Sequence, residues 1–422
     1  MLKNLVGKLT YGVAVLFGVA TLVFLLFALK PGDPVRMMGG QFVDETTREA
    51  IEADLGLNYP PALRYVQYLN DLSPLSYYNQ DGLFSINRVQ LTGYAIVPVG
   101  SGNIWLKWPY LRKSYQNKIP VTTIIADTFP STALLACIAM AFALIIGVVL
   151  GVVSALKKDS LFDQSALFVS VLGMSGPSFF MAILISWLGG FVWYQSFSLP
   201  ILPIVTGLLY FLLSIKKLGT KKALTKLVSG LLIGFGILLL AWIVQLITNW
   251  QWLDYIFHPI VLPGTGLNMT GSLTDIHPFK GEYTAWQNLI LPALTLGIRP
   301  LAVVVQLTRN TLLDVLSEDY IRTATAMGLS KTKIIYKYAL KNALAPVITT
   351  MSGWFASMLA GAVFVEFVFG WKGLGLTVFN ALEKEDMPVV MGCVLFFASV
   401  FVIINLLVDI TYKILDPRTR NN

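Results

Sequence analysis

Few side chains here could do bond chemistry. His258 and His277 are the only imidazoles in 422 residues, and neither sits in a run of ligands at metal-site spacing. Cys137 and Cys393 stand alone in apolar runs, which excludes a disulfide framework and a CxxC pair and leaves both as small packing residues. No GxxxxGK[ST] loop cradles a phosphate, and neither HExxH nor GxSxG occurs. The sequence predicts no catalytic residue, no metal and no cofactor bound by this chain. One ionisable group, Arg299, stands well inside an apolar stretch, where a central arginine costs about 3 kcal/mol on insertion scales. Two readings of it stand: facing a translocation pathway and meeting a substrate carboxylate, or snorkelling to the interface. Ion-coupled carriers place acids or histidines deep in their helices. Here Glu366 and Asp409 lie at span ends, so an ion-coupled secondary carrier is the weaker alternative.

What remains is recognition and the transmission of force, and one polar stretch suits that work. Between Arg309 and Pro346, Glu318 and Asp319 open a helix with acids at its positive end. Ile321, Ala324 and Gly328 then fall on one face at helical spacing. Gly328 fits the position just past a helix end, where positive φ costs glycine little. Ser330 is placed to cap a second helix with an apolar stripe of Ile334, Ile335 and Tyr338, and Lys331, Lys333, Lys337 and Lys341 decorate the rest. The pattern describes a helix–glycine–helix elbow. Taken alone, it also suits an amphipathic connector lying on lipid headgroups.

The elements that carry this elbow must be membrane helices. The chain is 55% hydrophobic and 13% charged, with a mean hydropathy of +0.68, against about 25% charged residues in a soluble domain. A crossing needs ~20 apolar residues. Such stretches occur at Leu9–Leu29, Thr128–Leu156, within the uncharged Gln164–Ile215, at Leu227–Thr248, at Tyr283–Thr308, at Asn342–Val365 and at Met387–Val408. Gln195–Ser198 and Pro200 divide the uncharged run in two, so eight spans are expected. With both termini in the cytoplasm, eighteen of the 31 basic residues fall inside, and the short outer loops keep only Lys280, Lys372 and Lys384. Positive charge flanks the spans rather than forming a nucleic-acid stripe, so no nucleic acid is expected. Residues 30–127 form a long outer insertion, with short helices expected at Thr46–Leu55 and Pro61–Leu72 and turn-rich chain beyond. It reads equally as a docking surface or as a decorated loop.

Arg322-Thr323-Ala324-Thr325-Ala326-Met327-Gly328, with Tyr338-Ala339-Leu340 downstream, resembles the EAA loop of ABC-transporter permeases. Arg322 replaces the usual Glu, Thr323 the first Ala, Tyr338 the Ile and Lys341 the Pro. These departures are similar to the wording of the DppB/OppB-type peptide-importer permeases. The likeness continues in Pro31-Gly32-Asp33-Pro34-Val35, in Leu291-Pro292-Ala293, in Leu307-Thr308-Arg309, and in Glu366 with Gly370 and Gly373-Leu374-Gly375. It ends with Asp386-Met387-Pro388 and the Asp416-Pro417-Arg418 tail.

The resemblance implies an all-α polytopic membrane protein with a type I ABC importer permease core of six helices. The two extra spans then read as an inserted hairpin, because Leu199-Pro200 recurs as Leu262-Pro263. Residues 1–29 are the first helix, 30–127 the outer loop, 128–199 core helices, 200–261 the hairpin, and 262–422 the remaining core with its coupling loop at 318–342. ATP and Mg would be held by two separate ATPase subunits, gripping an elbow in which Arg322, Thr323, Ala324, Met327, Gly328, Leu329 and Leu340 match the family motif. Ala324 and Gly328, being small, are expected to allow their close approach. The other implied partners are a second, related permease, a solute-binding protein and the lipid of the inner membrane. Di- or oligopeptides are the implied substrate; nickel complexes, glutathione or another small solute are the alternatives. Glu366 and its glycines are expected to shape a tight turn rather than to bind substrate.

Overall fold

A computed structural model describes residues 2–29, 52, 57–80, 82–86, 89, 93–199, 201–248, 260–277 and 281–415. The Pro31–Pro34 motif, the Thr46–Leu55 helix apart from Glu52 and the Asp416–Arg418 tail lie outside these residues. Helix dominates because long apolar runs must satisfy their backbone groups internally in lipid. Among the described residues, five helices are long and apolar enough to cross a membrane: Gly7–Ala28, Val121–Leu156, Thr225–Val244, Gln287–Leu316 and Met387–Val408. Two bent pairs, Leu161–Ser175 with Ser178–Val192 and Lys331–Leu359 with Val363–Phe369, raise the number to seven if each counts once. The eighth expected segment is a shorter apolar helix, Leu202–Ser214. At 1.5 Å per residue it is roughly 20 Å long, less than the ~30 Å hydrocarbon core.

The chain divides into two compact units, one of residues 1–185 and 270–422 and one of Ser186–Met269. In the larger unit, α1 (Leu2–Leu29) precedes a small α/β layer. That layer holds α2 (Pro61–Leu72) and an antiparallel sheet ordered β1-β3-β2, from β1 (Leu75–Asn79), β2 (Gly93–Val99) and β3 (Gly102–Lys107). The sheet was hidden in the sequence because both its faces carry apolar groups. Tyr78 is buried behind it, while Leu75, Tyr94 and Leu106 are exposed in one cross-strand row. The signal that could have found it is Gly100-Ser101 between two strand-forming runs, with Gly100 at φ 60°.

Behind the sheet, the Asp71 carboxyl accepts from Tyr78 Oη at 3.2 Å and meets Arg112 at 3.4 Å. Burial pushes the Asp71 carboxyl up from its ordinary range, with Arg112 and Tyr78 opposing the shift. Burial brings the Lys107 ammonium down to about 8, with Asp71 acting the other way. Polar contacts tie this part of the chain to the helices. Thr21 and Tyr65 share a 2.6 Å hydroxyl hydrogen bond. Asp386, 4% exposed, accepts from Ser114 Oγ and, at 3.0 Å, from Tyr115 N.

The helical core is built on α3 (Val121–Leu156) and α7 (Gln287–Leu316). The hydropathy boundary at Asp127 is not a helix boundary: Asp127 is exposed and α3 begins at Val121, after Pro120. Gly147 and Gly151 bring α3 into near-contact with α7. A Cβ on Gly147 would meet Val304 at 2.7 Å, and one on Gly151 would meet Thr308 at 2.7 Å and the Val305 carbonyl at 2.8 Å. The small residues let the backbones interlock. Around this seam lie α4 (Leu161–Ser175), α5 (Ser178–Ser186), α8 (Asp319–Ala326), α9 (Leu340–Gly361), α10 (Val363–Phe369), α11 (Leu374–Glu383) and α12 (Met387–Leu415), and a two-stranded β6–β7 ladder (Thr274–His277, Gly281–Thr284).

Within the smaller unit, β4 (Phe197–Leu199) and β5 (Ile260–Leu262) form an antiparallel pair with Phe197 opposite Leu262. Between them, α6 is helical over Ile201–Thr248, yet Thr206 Oγ1 donates to the Gly230 carbonyl at 2.9 Å. In a straight helix those residues would stand roughly 36 Å apart, so the path reverses and the element is a helical hairpin.

Candidate functional site

The elbow begins where α7 ends at Leu316. Glu318 adopts extended backbone (φ −69°, ψ 149°) ahead of α8, and Asp319 supplies the acid in its first turn. Gly328 stops the helix with φ 74°. Its N–H donates to the Thr325 carbonyl at 3.0 Å and the Leu329 N–H to the Ala324 carbonyl at 3.4 Å. This is the paired bonding of a Schellman cap, which needs left-handed backbone at the glycine. Ser330 then occupies the cap position of the next helix, but its hydroxyl makes no cap bond. It is exposed, and the backbone bond from Ile334 N to Ser330 O at 3.0 Å starts the helix.

One turn, Lys331–Lys333, leads into a π-helical stretch, Ile334–Ala339, that continues as α9. The π stretch changes the buried stripe. A four-residue period from Ile334 points to Tyr338, but the five-residue period buries Ala339, with Tyr338 and Ile335 only half-buried. Ala343 resumes the α period. The underside of the elbow is one apolar cluster: Ile321, Ala324, Ile334, Ala339 and Ala343 pack with Leu312 of α7 and Ala155 of α3. Two polar ties hold it. Asn342 Nδ2 donates to Tyr320 Oη at 2.9 Å, and Thr311 Oγ1 donates to the Ala343 carbonyl at 3.0 Å.

The motif residues therefore divide between two faces. Arg322, Thr323, Met327 and Gly328 are exposed, Met327 at 66%. Leu329 and Leu340 are half-buried. Ala324 is 1% exposed and faces the chain's own α3–α7 core. The expectation that it lets a partner approach closely is corrected: its small size serves the packing of α8 onto its own support. Arg322 pairs with Asp319 at 3.2 Å in open solvent, a contact of little energetic weight.

Arg299 lies on α7 between Ile298 and Pro300, half-buried, and has no ion-pair partner among the described residues. It shares a helix face with Val303, Gln306 and Asn310, at spacings of four, seven and eleven. Pro300 has no N–H, so the Leu296 carbonyl loses its helical donor one turn before it, beside Arg299.

Sequence reasoning placed Glu366 in a tight turn but missed its burial, 0% exposed, and missed the burial of Asp163 and Asp386, 1% and 4% exposed, as it did that of Asp71. Each ties together helices or turns far apart in the chain. Asp163 grips Arg309 in a bidentate pair of 2.6 and 2.7 Å. The local signal for Asp163 was Ser160-x-x-Asp163, a cap pattern that the structure forms: Asp163 N donates to Ser160 Oγ at 3.3 Å.

Comparison with known proteins agrees with this architecture. The family model for the binding-protein-dependent transport system inner membrane component matches residues 147–421, and the model for the N-terminal part of such membrane components matches residues 1–83. The chain is 30% identical to the dipeptide transport system permease protein DppB of Escherichia coli K12, over all of this chain and 99% of that one. It is 31% identical to the di/tripeptide transport system permease protein DppB of Pseudomonas aeruginosa, with the same coverage. The glutathione transport system permease protein GsiC of E. coli O6:H1 is 28% identical, over all of this chain and 99% of its own. A membrane-helix core carrying an elbow on an apolar buttress, matched over nearly the whole chain, belongs to the family of inner membrane components of binding-protein-dependent transport systems.

Proposed function

We propose that this chain forms half of the translocation pathway of an ABC importer for peptides and receives its driving force through the elbow at 318–342. The supporting observation is the division of the elbow into two faces. Ile321 and Ala324 fix it to α3 and α7, while Arg322, Thr323, Met327 and Gly328 present an outer rim to a partner. A lever needs both a rigid attachment and a free contact face. No phosphate-binding loop occurs in the sequence, so the hydrolysing machinery is two ATPase subunits beneath the elbow. A second, related permease completes the pathway, and a solute-binding protein delivers the substrate on the opposite side. The elbow and both termini face the cytoplasm. The 30–31% identity to dipeptide and di/tripeptide permeases supports peptides as substrates; glutathione, itself a short peptide, is the second reading and rests on the 28% identity to GsiC.

Purification of the full chain from its native membrane in mild detergent tests this. An ATPase bearing a phosphate loop is expected to accompany the chain, and Met327→Asp is expected to release it while leaving the chain in the membrane. Solute movement by the purified chain without any nucleotide-hydrolysing companion overturns the proposal.

Arg299 supplies a charge for the substrate's terminal carboxylate within the pathway. Arg299→Ala is expected to reduce uptake of free peptides roughly tenfold, the ~1.5–3 kcal/mol of a hydrogen bond to a charged group, and to leave uptake of C-terminally blocked peptides within about twofold. Equal losses for both, read by competition against a labelled peptide, reject carboxylate recognition.

A further inference from the structure

Three helices meet above the elbow, and they are joined in different ways. The α3–α7 seam is interlocked by Gly147 and Gly151. Between α4 and α7 the fit is looser. A Cβ on Gly173 would rest 3.6 Å from Ile298 and 3.9 Å from Ala302, which is ordinary contact without interdigitation. Gln306 Nε2 lies 3.7 Å from Met174 Sδ, a weak interaction. The directional link is the ion pair. Arg309 Nε meets Asp163 Oδ1 at 2.6 Å, and the guanidinium's second nitrogen meets Oδ2 at 2.7 Å. The side chains are 14% and 2% exposed.

The Asp163 carboxylate has further partners that bind it to the α3–α4 connection. It accepts from Ser154 Oγ near the end of α3 and from the backbone N–H of Asp159 at 2.9 Å. Arg309 in turn stands one turn before Leu312, whose fully buried side chain packs against Ile321, Ala324 and Ile334 of the elbow. A displacement of the elbow therefore reaches Leu312 first, then Arg309, then Asp163.

We infer that the Arg309–Asp163 pair is a coupling strut that makes α4 follow α7 when the elbow moves. Without it, α4 meets α7 through contacts that allow sliding. A planar fork held by two parallel bonds resists both sliding and rotation. Asp163 and Arg309 are thus positioning residues for transport, acting through helices rather than on solute. The inference rests on the reading of the elbow as the ATPase contact, and two measurements separate the two.

The first is the ratio of peptide imported to ATP hydrolysed by the assembled transporter in liposomes. Asp163→Asn is expected to lower that ratio about tenfold at unchanged basal hydrolysis, a size within the range of measured couplings. Arg309→Lys, which keeps the charge and loses the fork, is expected to lower it about threefold, a partial rescue. Ser154→Ala, which leaves the pair intact, is expected to keep the wild-type ratio. Normal ratios in both Asp163→Asn and Arg309→Lys overturn the strut. Should Asp163→Asn fail to accumulate, the Arg309→Lys ratio decides.

The second measurement needs no ATPase. In a background lacking Cys137 and Cys393, spin labels at Val169 of α4 and Asp314 of α7, both exposed, are expected to give a narrow distance distribution that Asp163→Asn broadens. An unchanged distribution overturns the strut whatever the elbow binds. A broadened one, with wild-type hydrolysis indifferent to solute, keeps the strut and removes the ATPase reading.

Discussion

Gly328→Val is expected to abolish uptake while the protein reaches the membrane at its normal level. The cause is conformational rather than steric: a Cβ at Gly328 meets nothing within 4 Å, but φ is 74°. Left-handed backbone costs an L residue ~1–2 kcal/mol, and a β-branched side chain is a genuine outlier there. The residue's escape from that region breaks the cap formed by Gly328 N to Thr325 O and Leu329 N to Ala324 O. The turn Lys331–Lys333 then leaves α8 in a different direction, and the outer rim of Arg322, Thr323 and Met327 no longer keeps its place against the helix that begins at Lys331. Insertion is untouched, because α7 and α9 are held elsewhere, by the α3 seam and by Thr311. Transport in vesicles should fall more than about tenfold, with hydrolysis continuing but no longer responding to solute; this size corresponds to more than ~1.4 kcal/mol of lost coupling. Gly328→Asn is the discriminating control. Asparagine tolerates this backbone, so it should retain most activity. Normal uptake by the valine variant, or equal losses in both variants, removes the elbow's geometry from the mechanism.

The legibility of the elbow comes from how local its causes are. The acids that open α8 and the glycine that closes it act within a few residues, and the structure places all of them as the pattern predicts. The stripe in the next helix was one residue off, because a π stretch has a five-residue period that composition does not announce. The direction faced by Ala324 depended on α3, more than 160 positions earlier in the chain, and so was not readable from the motif. The membrane class was plain in the uncharged runs. The sheet of β1, β2 and β3 was not, since apolar residues on both faces erase the alternation that marks a half-buried strand. The partners of the buried acids were hidden for a third reason. Asp163 and Arg309 are 146 positions apart, and Glu366 and Thr132 are 234 apart. No spacing rule reaches that far, and each acid lies close enough to a helix end to pass for a solvated charge.

Glu366→Ala is expected to cause the largest loss of stability among single substitutions in the larger unit. The Glu366 carboxyl is fully buried and holds the N-terminus of α11, whose cap residue, Gly373, has no side chain to do so. Thr132 Oγ1 of α3 donates to Oε1 at 2.6 Å, and Leu376 N donates to Oε2 at 3.0 Å. Thr132 Oγ1 also accepts from Leu374 N at 2.8 Å. One carboxyl and one hydroxyl from other helices thus satisfy two of the donors that a helix start leaves unpaired. Gly373 is required for the approach, since a Cβ there would meet the carboxyl at 2.5 Å. The same turn seats Trp371, fully buried, with Nε1 donating to Ser131 O at 3.2 Å.

Alanine at 366 leaves Leu376 N without an acceptor and opens a cavity against Thr132 and Gly373. The cost should be ~2–5 kcal/mol, from the cavity left by a large-to-small change and the buried donors stripped of their acceptor. Glu366→Gln keeps the volume and the acceptor for Leu376 N but puts an amide donor before Thr132, whose hydroxyl must then accept and lose its own acceptor, so about 1–3 kcal/mol is expected. Gly373→Ala should approach the alanine variant at 366, because it forces the same carboxyl out of its seat. Thermal unfolding of the purified protein in detergent, followed by tryptophan fluorescence, ranks the three: Glu366→Ala lowest, Gly373→Ala close to it, Glu366→Gln between them and wild type. A glutamine variant as unstable as alanine shows that charge rather than shape holds the turn. An alanine variant melting with wild type shows that α11 is held by its apolar face on Val389, Val390 and Cys393 alone.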